Sequence, residues 1–157
     1  MKPENGEHPL GDVGQLLCVG LFLIIWVGDS FFLQKSTFLS HPVPLMVRLI
    51  ILCLALITAI YLSLSGHAVT RYGHRPNGIV STGAFRYVRH PLYLASLLVY
   101  LALTVSTMSM VSFLLLAGIF VFHNTIASYE ERLLEAKFSE EYRTYKEKTG
   151  KWFPRIW

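Results

Sequence analysis

Four long apolar runs constrain this chain more than any other feature. They extend from about Val13 to Phe32, from Val43 to Ser65, from Pro91 to near Ser106, and from Met110 to Ser128. A helix needs about 20 mostly apolar residues to cross the hydrocarbon core of a bilayer. A soluble chain of 157 residues is too short to cover several helices that are hydrophobic all round. The expected fold class is all-α: a polytopic membrane protein of about four transmembrane helices, followed by a C-terminal amphipathic helix at the interface. Thr104 to Ser109 alone separates the last two runs, which predicts an antiparallel helical hairpin.

Composition agrees with this blocking. Apolar residues make up 53% of the chain and charged residues 15%, where a soluble domain carries roughly a quarter charged. Mean hydropathy is +0.46. The net charge of +4 would suit nucleic acid on a soluble protein. Here the basic residues flank apolar spans, so anionic lipid headgroups are the expected partners and nucleic acid is not. Cys18 and Cys53 lie inside apolar runs and are expected as small buried side chains. The N-terminus does not read as a signal peptide, because Glu4, Glu7 and Asp12 outweigh Lys2.

The chain reads as a single membrane domain, with an N-terminal helical pair at 13–65 and a functional part at 66–157. Asp29 ends the first run where it can reach interfacial water, and Arg48 can snorkel to the headgroups. The loop Gly66 to His90 carries Arg71, Arg75, Arg86, Arg89 and three histidines without an acid. From Tyr129 onward, Leu134, Phe138 and Tyr142 fall at four-residue spacing between charges, as in a helix lying along a membrane surface. Gly150 is expected to stop it, and Trp152, Phe153 and Trp157 suit the interface. Lysine and arginine asymmetry puts both termini and the 66–90 loop on the cytoplasmic side. That membrane is the plasma or inner membrane in a bacterium and the endoplasmic reticulum in a eukaryote.

Chemistry concentrates at Gly78-Ile79-Val80-Ser81-Thr82-Gly83-Ala84-Phe85-Arg86-Tyr87-Val88-Arg89-His90-Pro91-Leu92-Tyr93. Gly78 and Gly83 permit tight turns and close approach of backbone to a ligand. Pro91 suits the first turn of a helix. The helix start, with Arg86, Arg89 and His90 before it, makes a site for a carboxylate or phosphate. The same residues also fit an ordinary positive-inside loop. Glu130 and Glu131 follow the fourth run and can bind ribose hydroxyls or an amino group, or offset a positive charge. Ser128 and Glu131 also have capping-box spacing, with Ser128 as N-cap, which leaves Glu130 as the better ligand. Histidines 67, 74, 90 and 123 match no compact metal pattern, and no metal is expected. His123 and Asn124 form a polar pair inside the fourth span, suited to function or to helix-to-helix hydrogen bonding.

At these residues the chain resembles the isoprenylcysteine carboxyl methyltransferases and the related phospholipid methyltransferases. In that group a G-x-[YF]-R-x-x-R-H-P-x-Y segment opens a transmembrane helix. Gly83, Phe85, Arg86, Arg89, His90, Pro91 and Tyr93 match it. A helical hairpin, the Glu130-Glu131 pair and Phe138-Ser139-Glu140-Glu141-Tyr142-Arg143-Thr144-Tyr145, with Pro154 beyond, complete the resemblance over roughly Arg71 to Pro154. It departs at Ala95 and Ser139, where glycine is usual. It departs also at Ile126, where the prenylcysteine enzymes carry an arginine expected to contact substrate. The last departure weakens the case for a prenylcysteine carboxylate and leaves cofactor binding intact.

The resemblance implies S-adenosyl-L-methionine as cofactor and an amphipathic or lipid-like methyl acceptor reaching the site from the bilayer. It implies cofactor binding by the segment Gly78 to Phe85 (Gly78, Ile79, Val80, Ser81, Thr82, Gly83, Phe85), and by His90, Tyr93 and Glu130; Arg86 and Glu131 join on the reading of the residues themselves. Glu130, His90 and Arg89 are the expected catalytic residues. Two other classes compete: a membrane sterol or isoprenoid-type reductase using NADPH, whose helix start is similar, and a non-catalytic lipid-binding protein. Oligomeric state is not legible in the sequence.

Overall fold

The computed structural model describes residues 11–70 and 78–155. Lys2, Glu4, Glu7, Arg71, His74, Arg75 and Trp157 lie outside the described residues. Four helices follow in order: α1 (Gly11–Val27), α2 (Leu45–Thr70), α3 (Pro91–Thr107) and α4 (Met110–Lys148). A π-helical turn at Gly28–Leu33 prolongs α1, and short 3-10 turns lie at Phe38–Ser40 and Gly83–Arg86. Among the described residues, the one pairing of extended backbone is a parallel bridge between Val88 and Gly150.

Among the described residues, three helical segments are long and apolar enough to cross a membrane, beginning at Val13, Leu45 and Met110. The fourth, α3, has 17 residues, a rise of about 25 Å against a hydrocarbon core of about 30 Å. The outward faces are apolar: Leu16 and Ile24 of α1 are each 73% exposed, and Leu54, Ile57 and Leu64 of α2 are exposed as well. Such a surface is stable only against lipid. Cys53 is likewise exposed on α2, rather than buried as its sequence setting suggests; Cys18 is partly buried.

Two apolar clusters hold the bundle. Ala59 and Leu62 of α2 pack on Ala84 and Val88 of the loop and Ala95 of α3. Small residues let the α2 and α3 backbones approach: a Cβ on Gly66 would stand 2.8 Å from the Leu92 side chain. Phe22 of α1, Leu97 and Tyr100 of α3, and Ile119 of α4 form the second cluster.

The two ends of the bundle differ in chemistry. At one end the turn after α1, the start of α2 and the α3–α4 hairpin are laced together. Ser109 Oγ donates to Asp29 Oδ2 at 2.6 Å, and Ser36 Oγ donates to the same oxygen. Met110 N donates to Ser36 O at 3.1 Å. Asp29 is therefore buried, not directed to interfacial water. Arg48 NH1 donates to the Ser106 carbonyl at 3.0 Å. At the other end, the 78–90 loop meets the C-terminal half of α4.

That half corrects the sequence reading. No new helix begins at Ser128. Its hydroxyl donates back to the Asn124 carbonyl at 2.8 Å, and α4 runs on through it. The break comes instead at Ser139, with φ 43° and ψ −112°. The true N-cap of α4 is Ser109, whose hydroxyl accepts from Ser112 N at 3.2 Å. Glu131 is released from any capping role and turns inward.

A candidate active site at the mouth of α3 and α4

The loop before α3 owes its shape to local constraints. Gly83 has φ +60° and lies on α2, where a Cβ would meet Ser65 Oγ at 2.9 Å. Glycine at this position thus serves helix packing. The 3-10 turn that follows buries Ala84. Tyr145 Oη donates to the Phe85 carbonyl at 2.7 Å, and Arg89 N donates to the Gly150 carbonyl at 2.9 Å. Ile79 N donates to Glu141 Oε1 at 3.3 Å. The last turns of α4 and the residues just beyond them thereby pin the loop along its length.

Arg89, His90, Tyr93, Glu130 and Glu131 converge at the mouth so formed. Arg89 Nε donates to Glu131 Oε1 at 2.9 Å, and its NH1 donates to the Lys146 carbonyl at 3.2 Å and to the Thr149 carbonyl. His90 lies between the two acids. Its Nε2 is 3.2 Å from Glu131 Oε1, and its Nδ1 is 3.8 Å from Glu130 Oε2. Tyr93 Oη donates to Glu130 Oε1 at 2.8 Å. Adjacent residues on a helix point about 100° apart, so one glutamate faces the loop arginine and the other faces α3.

The electrostatics follow from these partners. Burial pushes the Glu131 carboxyl up, but hydrogen bonds from His90 and Arg89, with the Arg89 charge, outweigh it and hold the group at about 2. Glu131 and Arg89 neutralise one another.

Other expected site residues lie further out. Ser81, Thr82 and Arg86 are exposed, and Val80 and Phe85 are half-buried. Gly78 is beside Glu141, whose Oε1 a Cβ would approach to 3.1 Å.

Two participants were not legible as site residues. Trp152 reads in sequence as an interfacial anchor. It instead packs between α3 and α4, with its ring 6.0 Å from His90 and 5.6 Å from Phe120, and its Nε1 donates to Asn124 Oδ1 at 3.1 Å. Lys151 Nζ donates to Ser128 Oγ at 2.7 Å and to the Asn124 carbonyl at 3.2 Å. Gly150 ahead of two residues able to reach back was the available signal.

The described residues thus form a lipid-facing helical bundle with a polar, acid-lined mouth at one end. The family model described as phospholipid methyltransferase matches residues 43–141. The chain belongs to that family of membrane methyltransferases. The match takes in α2, the loop, α3 and most of α4, including every converging residue named above. No curated protein and no solved structure matches the chain.

Proposed function

We propose that this protein transfers a methyl group from S-adenosyl-L-methionine to a lipid-like acceptor, at the cytoplasmic end of the bundle. The observation that carries the reading is the meeting of Arg89-His90 with Glu130-Glu131 at the start of α3. The donor set fits the cofactor in kind. Glu130, with its Tyr93 partner, suits ribose hydroxyls, an amino group or a positive sulfur. The start of α3 suits a carboxylate.

When bound, the cofactor supplies a methyl group already activated on a sulfonium. The protein's work is then to position and desolvate. Glu130 and Tyr93 orient, and His90 spans the two carboxylates. Arg89 is committed to Glu131 and to tail carbonyls, so its role is to hold the site's frame. Ile126 is buried on α4 where a prenylcysteine enzyme would present an arginine, which favours a lipid acceptor over a prenylcysteine carboxylate.

Titration of the nanodisc-embedded protein with S-adenosylmethionine, with its demethylated product and, separately, with NADPH tests this. Saturable binding of the first two, lost in Glu130→Ala and His90→Ala variants that still insert, is the expected result. Binding of NADPH alone overturns the reading in favour of a reductase. Binding of none of them leaves a lipid-binding protein.

A further inference from the structure

His123 is fully buried within α4. Its Nδ1 is 2.9 Å from the Ile119 carbonyl. A carbonyl oxygen only accepts, so Nδ1 carries the hydrogen and Nε2 presents a lone pair. That Nε2 has no hydrogen-bond partner among the described residues. An unsatisfied polar atom in a membrane interior is costly and calls for a reason.

Its neighbours on α4 need none. Asn124 Oδ1 accepts from Trp152, and Thr125 and Ser128 hydroxyls bond to carbonyls one turn back. Arg48 Nε and the Tyr100, Thr104 and Ser112 hydroxyls also lack partners among the described residues. Arg48, however, is held through its NH1. Tyr100 lies in the Phe22–Leu97–Ile119 cluster, with no contact to Glu130 or Tyr93 of the kind His123 makes. A helical serine or threonine can turn to the carbonyl of the preceding turn. His123 has already made that bond through Nδ1, and its ring cannot satisfy both nitrogens the same way.

Position gives the lone pair a use. His123 is seven residues before Glu130, so both side chains lie on one face, about 10 Å apart along the axis. Tyr93 connects them: its hydroxyl donates to Glu130 while its ring stands edge-on to His123 at 5.2 Å. Phe122 packs edge-on to the imidazole at 5.8 Å. Phe122 is itself 36% exposed on the lipid-facing surface. The imidazole therefore sits one ring in from the bilayer and two turns from the acidic mouth.

We propose that His123 Nε2 is a further site residue, which accepts a hydrogen bond from an N–H or O–H group on the methyl acceptor. The proposal rests on the methyl-transfer reading above and adds the polar contact made on the bilayer side. Tyr93 would then mark the division between cofactor and acceptor, with Glu130 on one side and His123 on the other.

The test compares dodecan-1-ol with 1-methoxydodecane, in which a methyl group replaces the donor hydrogen at the head. Their affinities for the purified protein are read by thermal shift, in wild type and in His123→Phe, with and without S-adenosylmethionine. Taking the ratio of the two affinities, and comparing it between proteins, cancels partitioning into detergent. The wild type should favour the alcohol about three- to tenfold, the worth of one hydrogen bond at a buried acceptor. The preference should vanish in His123→Phe, which keeps a ring against Tyr93, and return in part in His123→Gln, whose amide oxygen can accept. S-adenosylmethionine affinity should stay within about twofold in His123→Phe, whose ring keeps the packing against Tyr93 and leaves the Tyr93 hydroxyl on Glu130.

Equal affinity of alcohol and ether in the wild type, each corrected for its partitioning into protein-free detergent, overturns the proposal without any variant, which covers a His123→Phe protein that fails to fold. A preference unchanged in His123→Phe overturns it too. If no protein binds S-adenosylmethionine yet the His123-dependent preference persists, the methyl-transfer reading has failed and the donor-binding site stands.

Discussion

Arg89 and Glu131 lie 2.9 Å apart, Nε to Oε1, with each side chain only 9% exposed. This pair ties the loop before α3 to α4, and the same arginine holds the returning tail through the Lys146 and Thr149 carbonyls. Removing one partner strands a buried charge. Glu131→Ala should therefore lower stability by about 3 kcal/mol or more. Chemical or thermal unfolding in detergent measures the loss, and a change under about 1 kcal/mol would show that water already screens the pair.

The pH dependence of that contribution has a defined sign. The Glu131 carboxyl is depressed from 4.5 to about 2. A depressed acid contributes stability that is present above the unfolded value and is lost as pH falls through the folded one. Unfolding free energy should decline between about pH 4.5 and pH 2 in wild type, and the decline should be shallower in Glu131→Gln. Parallel curves for the two proteins would place the acid sensitivity elsewhere.

Tyr93→Phe removes the hydroxyl that donates to Glu130 and keeps the ring against His90 and His123. Glu130 then loses this donor. Affinity for S-adenosylmethionine should fall about five- to tenfold, equivalent to one hydrogen bond of about 1 to 1.5 kcal/mol. Calorimetry reads it directly, and an unaltered affinity would remove Glu130's orientation from the binding account.

Ser139 occupies backbone space that favours glycine, at φ 43°. Ser139→Gly should stabilise the protein by about 1 kcal/mol, because relief of strain exceeds the added entropy of the unfolded chain. Ser139→Val should destabilise it. If instead valine is tolerated and circular dichroism shows more helix, α4 is straight in solution.

Asp29 belongs to the opposite end, where Ser36 and Ser109 both donate to its Oδ2. Asp29→Ala should cost about 2 kcal/mol by leaving these partners unsatisfied. Cofactor affinity should be unchanged, since the mouth lies at the other end of the bundle. A fall in affinity equal to the Tyr93→Phe effect would mean that the two ends are coupled.

Much of this was legible beforehand. Span boundaries follow from runs of apolar residues, and the hairpin from the few residues between the last two. The cluster at Arg89, His90 and Tyr93 was legible because Pro91 marks a helix start just beyond them. Glu130-Glu131 was legible as a pair, but its partition was not. Capping-box spacing assigned Glu131 to its own helix, whereas a continuous α4 gives it to Arg89 and His90. Local spacing cannot reveal that a helix continues through a potential cap, because the preceding turn competes for the same hydroxyl.

The amino-acid sequence by itself determined the membrane, the number of apolar segments and the residues able to do chemistry. These depend on transfer from water to hydrocarbon and on helix-end preferences, which are properties of short stretches. Only the tertiary structure decided that Asp29 is buried among serines, that Trp152 packs between α3 and α4 instead of anchoring at the surface, and that His123 keeps an unpartnered nitrogen beside Tyr93. Each depends on at least one partner 28 to 80 residues away in the chain, or on the lack of one. Such contacts are set by how helices pack, a choice that no local pattern encodes.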